Sequence, residues 1–215
     1  RPKSSAASDV YKRQVLGLVA VMSANLIETV YISLIGTEQL AALGFTFPIV
    51  MLLQSLTMGL SVGASSVVAR RVGAARMDQA KIIISHSLLI TVLLITVLIV
   101  LVQPNLRDIF RLLGADGHVQ SLAVGYMEIW FLGLPFFAVA MVGSSLMRAL
   151  GDVATPGYLM TLGAGLQIVL GPILIFGFGD FSGLGLAGAA MAFVLARIIG
   201  FFFYGYCLYR DRILI

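Results

Sequence analysis

A single glutamate, Glu28, lies inside the apolar segment ANLIETVYISLIG, residues 24–36. A charged side chain at the centre of a lipid bilayer costs about 2.5–3.5 kcal/mol on insertion scales, so such residues usually face a protein interior or a water-filled cavity and have a function. Because a carboxyl group that loses solvation favours its protonated form, Glu28 could bind a proton on one side of a membrane and release it on the other. Its oxygens could equally join a sodium site, since hard cations prefer oxygen ligands.

Polar neighbours of Glu28 could share this role. Asn25 precedes Glu28 by three residues and shares its helix face, and Thr29 follows directly. Arg197 lies near the middle of a distant apolar run, where it could be the charge partner of Glu28 or part of a second polar cluster. A static Glu28–Arg197 pair that joins two helices is therefore the structural alternative to an ion-coupling role.

Three further polar residues lie in apolar runs. Gln54 and Gln167 could line a cavity or hydrogen bond between helices. Glu128 lies beside Tyr126 and Trp130, aromatic residues that are typical of the membrane–water interface. We therefore expect Glu128 to be hydrated near the outer end of its helix.

Motifs of enzymes are absent from the sequence. It contains no H-E-x-x-H metal motif, no phosphate-binding P-loop and no strand-borne G-x-G-x-x-G. His86 and His118 are far apart, and Cys207 is the single cysteine, which excludes a disulfide within the chain and a multi-cysteine metal site. We expect a protein that is not an enzyme and that uses no cofactor beyond a coupling proton or sodium ion. No firm metal site is predicted, and a sodium site near Glu28 is the one alternative.

The composition places these polar residues in a membrane. The chain is 60% hydrophobic and 11% charged, with a mean hydropathy of +1.02. Soluble domains carry about 25% charged residues, so the chain has too little charge to cover a water-facing surface. The net charge of +4 comes from basic residues between apolar runs, which topology requires, and does not indicate nucleic-acid binding. The predicted fold is an all-α polytopic membrane protein.

Six apolar runs approach the length of about 20 residues that a membrane-spanning helix needs. They cover residues 15–35, 46–69, 82–102, 119–142, 157–178 and 186–208. The connection after the third run is predicted to hold a short interfacial helix with Ile109, Leu112 and Leu113 facing lipid. Residues 15–210 would then form one bundle of six transmembrane helices.

Prolines and glycines interrupt several of these runs. Pro48, Pro135 and Pro172 each remove a backbone hydrogen bond and permit a kink. The 23 glycines favour close helix packing, and they also permit helices to slide or bend during a transport cycle. The candidates for a cavity lining or hinge are Gln54, Pro48, Gly171 and Pro172.

The distribution of lysine and arginine predicts the orientation. The N-terminal segment, the second and fourth connections and the C-terminal segment hold eleven of these residues, and the other three connections hold two. Both termini should therefore be cytoplasmic. Residues 1–14, RPKSSAASDVYKRQ, differ from the rest of the chain and resemble a translated adaptor sequence; we expect them to be non-native or, alternatively, a disordered tail.

Four segments resemble the multidrug and toxic compound extrusion family of transporters. NLIETVYISLIGTEQLAALGF resembles the first-span signature, which has Asn-x-x-Asp followed by Gly-x-x-x-Leu-Ala-Ala-x-Gly. The other segments resemble the end of the second span, the loop before the fifth span, and the run from the fifth span into the sixth; they read GASSVVARRVGAAR, RALGDVATPGYL and GPILIFGFGDFSGLGLAGAAMAFVLAR. The four motifs are colinear between residues 15 and 210.

The resemblance implies twelve spans in two six-helix lobes, of which this chain supplies the N-terminal lobe and lacks the C-terminal one. Two motifs depart from the family pattern. Glu28 stands where the family usually has Asp, and the Asn-x-x-Asn-x-x-x-Asp-Pro motif of the fifth span reads Ala164, Gln167 and Gly171 before Pro172. The second carboxylate is absent, so Glu28 would work with Asn25, Gln167 and Arg197, or the coupling ion would bind in the other lobe.

The function that the resemblance implies is a proton- or sodium-coupled antiporter. It would export small organic compounds, cationic or amphipathic, by alternating access from a bacterial inner membrane. Membrane lipid, the small-molecule substrate and the missing lobe are the expected partners. The alternatives are a lipid-linked oligosaccharide flippase of the same superfamily and a non-transporting scaffold subunit, in which replacement of Glu28 by Gln would leave function intact.

Overall fold

Long apolar helices with short connections form the structure, a computed structural model that describes residues 3–178 and 181–210 of the 215-residue chain. The helices are α1 (Lys3–Ile35), α2 (Thr37–Gly73), α3 (Met77–Val102), α4 (Leu106–Leu112), α5 (Gly117–Ala149), α6 (Ala154–Phe176) and α7 (Leu186–Arg210). Within the described residues, five helical segments are long and apolar enough to cross a membrane, and Met22–Ile35 of α1 is a shorter apolar helix. The predicted all-α polytopic fold is confirmed.

Each predicted span coincides with one helix, but several helices are longer than the spans. Helices α2 and α5 continue past the ends of their apolar runs, because the bilayer limits the apolar length and not the length of the helix. The segment 1–14 was predicted to be non-native or, alternatively, a disordered tail, but α1 already begins at Lys3. The origin of that segment stays a prediction.

A hairpin of two strands, each two residues long, replaces the end of the predicted fifth span. Helix α6 ends at Phe176, where Gly177 has a φ of 88°, a conformation that glycine adopts without strain. Strand β1 (Gly177–Phe178) then pairs antiparallel with β2 (Phe181–Ser182), with Gly177 opposite Ser182. The span was therefore predicted two residues too long, because the apolar pattern continues through Phe178.

The short helix after α3 is present as expected, but one of its apolar residues points inward. A 3-10 turn, Gln103–Asn105, connects α3 to α4. Leu106 and Phe110 of α4 are buried, and Ile109 packs against the same core. Leu112 is 87% exposed and Leu113 is also exposed. The outward face was correctly predicted for the two leucines and wrongly for Ile109.

Helix α5 lies at the centre of the bundle. It packs against α2, α3 and α7, while α6 packs against α1 and α7. Small residues permit the close α5–α7 contact: a Cβ atom at Gly133 would lie 3.0 Å from the Phe193 ring, and one at Gly143 would collide with the ring of Tyr204. These contacts bring the middles of α1, α5, α6 and α7 together.

Candidate functional site

Glu28 is hydrogen bonded from two other helices. Nε2 of Gln167, on α6, donates to Oε2 of Glu28 at 2.6 Å. The hydroxyl group of Tyr126, on α5, donates to Oε1 at the longer distance of 3.5 Å. Each carboxylate oxygen therefore faces a donor, and the site joins α1, α5 and α6.

Gln167 also connects Glu28 to Arg197. Its Oε1 accepts a hydrogen bond of 3.5 Å from Nη2 of Arg197, on α7. The Arg197 guanidinium group lies 4.9 Å from the centroid of the Phe193 ring and 5.2 Å from that of the Phe137 ring. The four polar side chains thus run in the order Tyr126, Glu28, Gln167 and Arg197.

This order differs from the static ion pair that was one of the two interpretations of Arg197. Among the described residues no nitrogen of Arg197 lies within the 4.0 Å of a salt bridge to Glu28. The amide of Gln167 stands between the two charges and satisfies each with its matching end. Because an amide both donates and accepts, a shift of the Gln167 side chain at Glu28 also alters its hydrogen bond to Arg197.

The local sequence of α6 leaves room beside the carboxylate. Gly171 lies one turn after Gln167, and a Cβ atom there would lie 3.6 Å from the ring of Tyr31. A small space of about 10 Å³ is lined by Glu28, Tyr31, Gln167, Ile168 and Gly171, among other residues. That volume is about the minimum that holds one water molecule.

Pro172 changes the hydrogen bonding of the same turn. Since proline has no N–H group, it cannot donate to the carbonyl of residue 168, its partner four residues earlier in the helix. Pro172 lies inside α6, and Ile168 lines the small space beside Glu28. The turn therefore has a backbone acceptor without its helical donor close to the carboxyl group.

The other two candidates on α1 lie apart from this chain of contacts. Asn25 is exposed, and its backbone carbonyl accepts a 2.9 Å hydrogen bond from the Thr29 hydroxyl group. In the part of the chain that the structure describes, neither side chain hydrogen bonds to Glu28. Asn25 was expected to share the helix face of Glu28. Three residues rotate by about 300°, so the two side chains point about 60° apart around the helix, and Asn25 can be exposed while Glu28 contacts neighbouring helices.

The remaining candidates lie elsewhere in the bundle. Gln54 is half-buried and Pro48 is exposed, both on α2 and outside the cluster around Glu28. Glu128 is exposed, which agrees with a hydrated residue, and it lines an open depression with Arg107. Of the sequence-predicted site residues, the structure brings together Glu28, Gln167 and Arg197, with Gly171 and Pro172 alongside.

Tyr126 is the site residue that sequence reasoning missed. It was assigned with Trp130 to the membrane interface, but Tyr126 is 5% exposed and Trp130 is 3% exposed. The Trp130 ring stacks on that of Phe193, with centroids 5.1 Å apart. Aromatic residues occur in protein cores as well as at membrane interfaces, and the side of the helix on which they lie decides between these two environments. Here both residues lie on an inward-facing side.

The hydrogen bonds that Gln167 and Tyr126 make to the Glu28 carboxyl group depend on whether that group is protonated. An ionised Glu28 accepts from both Gln167 and Tyr126, whereas a protonated Glu28 has one oxygen that becomes a donor. Gain or loss of a proton therefore changes contacts to α5 and α6 at once.

Comparison with known proteins identifies the family. A family profile described as MatE matches residues 15–173. The chain is 36% identical over 193 residues to the FAD transporter of Shewanella oneidensis, a match that covers 90% of this chain and 43% of the relative. It is 30% identical over 167 residues to the probable multidrug resistance protein YoeA of Bacillus subtilis, covering 78% of this chain and 36% of that protein.

Solved structures lead to the same result. The fold superposes with a TM-score of 0.87 on an outward-facing multidrug resistance MATE family transporter of the MOP superfamily, at 33% identity over 94% of this chain and 44% of the other. The chain thus spans less than half the length of the relatives it matches. It belongs to the MatE family, the multidrug and toxic compound extrusion transporters.

Proposed function

We propose that this chain is the N-terminal lobe of a twelve-helix antiporter in which Glu28 carries the coupling ion. The observation that supports the proposal is the placement of Glu28, hydrogen bonded by Gln167 and Tyr126 from two other helices inside a transporter lobe. A carboxyl group so placed can change the packing of three helices when its charge changes. The antiporter would export small organic compounds by alternating access.

The groups around Glu28 favour a proton over sodium as the coupling ion. Both side chains that contact the carboxylate do so through hydrogen-bond donors, and the amide oxygen of Gln167 is directed to Arg197. A sodium ion would need several oxygen ligands, and it would be repelled by the nearby guanidinium group. A proton needs only the carboxyl group and a neighbouring water molecule, and the small space beside Glu28 is about large enough for one.

The names of the relatives support small organic compounds as substrates but differ in their charge. The Shewanella relative is named for FAD, a phosphate-bearing dinucleotide, and the Bacillus relative is named for multidrug resistance. Cationic or amphipathic compounds were the expectation from sequence. The charge preference of this chain has to follow from its own cavity.

The proposal includes a second lobe and a defined orientation. The relatives are more than twice as long as this chain, so a C-terminal lobe is proposed as its partner across the substrate pathway. The excess of lysine and arginine in the second and fourth connections supports cytoplasmic termini in a bacterial inner membrane. Lipid would cover the outer faces of the helices.

The experiment that tests the coupling role compares wild type with Glu28→Gln in the full-length transporter that contains this chain. Transport of fluorescent compounds of either charge is followed as efflux from cells, or as uptake into inverted vesicles, under an imposed proton gradient and then under a sodium gradient. Glu128→Gln is the matched control, because Glu128 is an exposed glutamate in another membrane helix. We expect loss of proton-driven efflux in Glu28→Gln alone, at equal membrane expression.

Efflux that persists in Glu28→Gln would make this residue a structural partner of Gln167 and would move coupling to the other lobe. If a sodium gradient drives efflux and Glu28→Gln abolishes it, Glu28 is still the coupling residue, but the coupling ion is sodium and not a proton. Absence of gradient-driven efflux in wild type, for compounds of both charges, would overturn the antiporter proposal and favour the scaffold alternative.

A further inference from the structure

A second cavity lies next to the Glu28 site, between α5, α6 and α7. Its volume is about 220 Å³, and its lining includes Phe137, Ser144, Met160, Gly163 and Arg197. Glu28 does not line it. Arg197 links the two sites, since it lines the cavity and donates a hydrogen bond to Gln167.

Arg197 is the charged residue that lines this cavity, and its hydrogen-bonding capacity is largely unused. A guanidinium group has five N–H donors and no acceptor. Nη2 makes one long hydrogen bond to Gln167, while the buried Nε has no hydrogen-bond partner among the described residues. Nε is enclosed by the protein itself, but Nη1 lies beside Gly163 in the cavity wall, since a Cβ atom there would lie 3.5 Å from it. Nη1 can therefore donate to a ligand in the cavity.

The walls of the cavity indicate what kind of molecule could bring that acceptor. They are mainly apolar, with the Phe137 ring and the Met160 side chain among them, and Ser144 and Tyr204 are lining residues that carry hydroxyl groups. The Phe193 and Phe137 rings already contact the guanidinium group, which keeps its charge in place at the edge of the cavity. An apolar body with one anionic group fits both features.

We propose that this cavity binds the anionic end of an amphipathic substrate, a carboxylate or a phosphate, through a two-pronged hydrogen bond to Arg197. Planar carboxylate and phosphate oxygens match the fork of a guanidinium group. A cationic group in the same place would be repelled, with no carboxylate among the lining residues to offset it. The inference rests on the proposed transport function and reverses the charge of the substrate expected from sequence.

The test is a binding measurement that needs no ion gradient. The full-length transporter in lipid nanodiscs is titrated with three probes that share one two-ring apolar body: 2-naphthoate, 2-naphthamide and 2-naphthylmethylammonium. We expect wild type to bind naphthoate about tenfold or more tightly than the other two. Equal affinity for the three, or preference for the ammonium compound, would overturn the proposal.

Variants of Arg197 assign the preference to this residue. Arg197→Gln should lose the preference for naphthoate, and Arg197→Lys should keep part of it, because the charge remains and the fork is lost. Arg107→Gln is the matched control, since Arg107 is exposed and lies outside the cavity. Unchanged preference in a folded Arg197→Gln would also overturn the proposal.

A cavity-filling variant separates charge from space. A Cβ atom at Gly163 would lie 3.5 Å from Nη1 of Arg197, so Gly163→Val adds bulk against the guanidinium group and leaves its charge. We expect naphthoate binding to fall about tenfold or more in this variant as well. If Arg197→Gln does not fold, the wild-type probe series and Gly163→Val still decide.

The outcome is distinguishable from that of the coupling experiment. A preference for naphthoate without gradient-driven efflux would support the anion site and refute the antiporter. Efflux that depends on Glu28, together with equal binding of all three probes, would do the reverse.

Discussion

Nε2 of Gln167 donates a 2.6 Å hydrogen bond to Oε2 of Glu28, and the two residues lie on helices that are 139 positions apart in sequence at this contact. Gln167 is 6% exposed, so water does not replace this donor easily. The other end of the same amide accepts from Arg197. One neutral side chain therefore bridges Glu28 and Arg197.

Gln167→Leu should reduce gradient-driven efflux about tenfold or more. The substitution keeps the size of the side chain but leaves a carboxylate oxygen of Glu28 without its donor, at a cost of about 1–3 kcal/mol. It also removes the hydrogen bond that Arg197 donates to the amide oxygen, so no side chain links Arg197 to Glu28 any longer. Efflux rates at matched membrane expression measure the effect.

Gln54→Leu is the control for that variant. Gln54 is a half-buried glutamine in another membrane helix and lies outside the Glu28 cluster. We expect its efflux to stay near wild type. Equal loss in both variants would mean that glutamines in these helices serve stability alone.

Tyr126→Phe should have a much smaller effect, below about threefold on efflux. The hydroxyl group lies 3.5 Å from Oε1 of Glu28, at the limit of a hydrogen bond, and the ring that fills the core is retained. The ratio of the two effects is the measurement that matters. A larger loss in Tyr126→Phe than in Gln167→Leu would make the tyrosine hydroxyl the main partner of the carboxylate.

The helices could be predicted from sequence because a bilayer requires long apolar runs, and these differ from polar connections at a glance. Glu28, Gln167 and Arg197 could be selected for the same reason, as polar residues in apolar runs. The resemblance to a transporter family added the motif that pairs the first span with Gln167. Each of these inferences uses one residue and its local sequence.

Which side of each helix faces inward could not be predicted. In a membrane the lipid-facing surface is as apolar as the core, so periodicity does not separate the two faces. Tyr126 was therefore assigned to the interface and Ile109 to the lipid, although both pack inside. The position of Gln167 between Glu28 and Arg197 depends on the packing of α1, α6 and α7, which no local pattern contains.

The proposed orientation predicts opposite accessibility for two connections. In a Cys207→Ser background, Ala74→Cys lies between α2 and α3, and Ser182→Cys lies in the hairpin between α6 and α7; both positions are exposed. A membrane-impermeant maleimide added to intact cells should label position 182 and not position 74. Labelling at 74 alone would invert the topology and place both termini outside.

Gly143→Ala should lower stability, because a Cβ atom at this position would collide with the Tyr204 ring. Tyr204 is 2% exposed and packs with Met147, so its ring can move away only by disturbing the α5–α7 contact. Overpacking of this kind costs about 1–3 kcal/mol. Thermal unfolding of the purified full-length transporter should therefore begin at a lower temperature.

Gly125→Ala is the matched comparison in the same helix. Apart from the adjacent residues and the backbone of its own helix, no atom of the described residues lies within 4 Å of a Cβ atom placed at Gly125. Alanine also favours a helix interior over glycine by about 1 kcal/mol. We expect equal or higher stability in this variant. A second substitution, Tyr204→Leu, should restore part of the stability lost in Gly143→Ala, since it removes the ring that the new methyl group meets. If Gly143→Ala unfolded at the wild-type temperature, the close α5–α7 approach that holds Arg197 of α7 against Phe137 of α5 would not be needed for the fold.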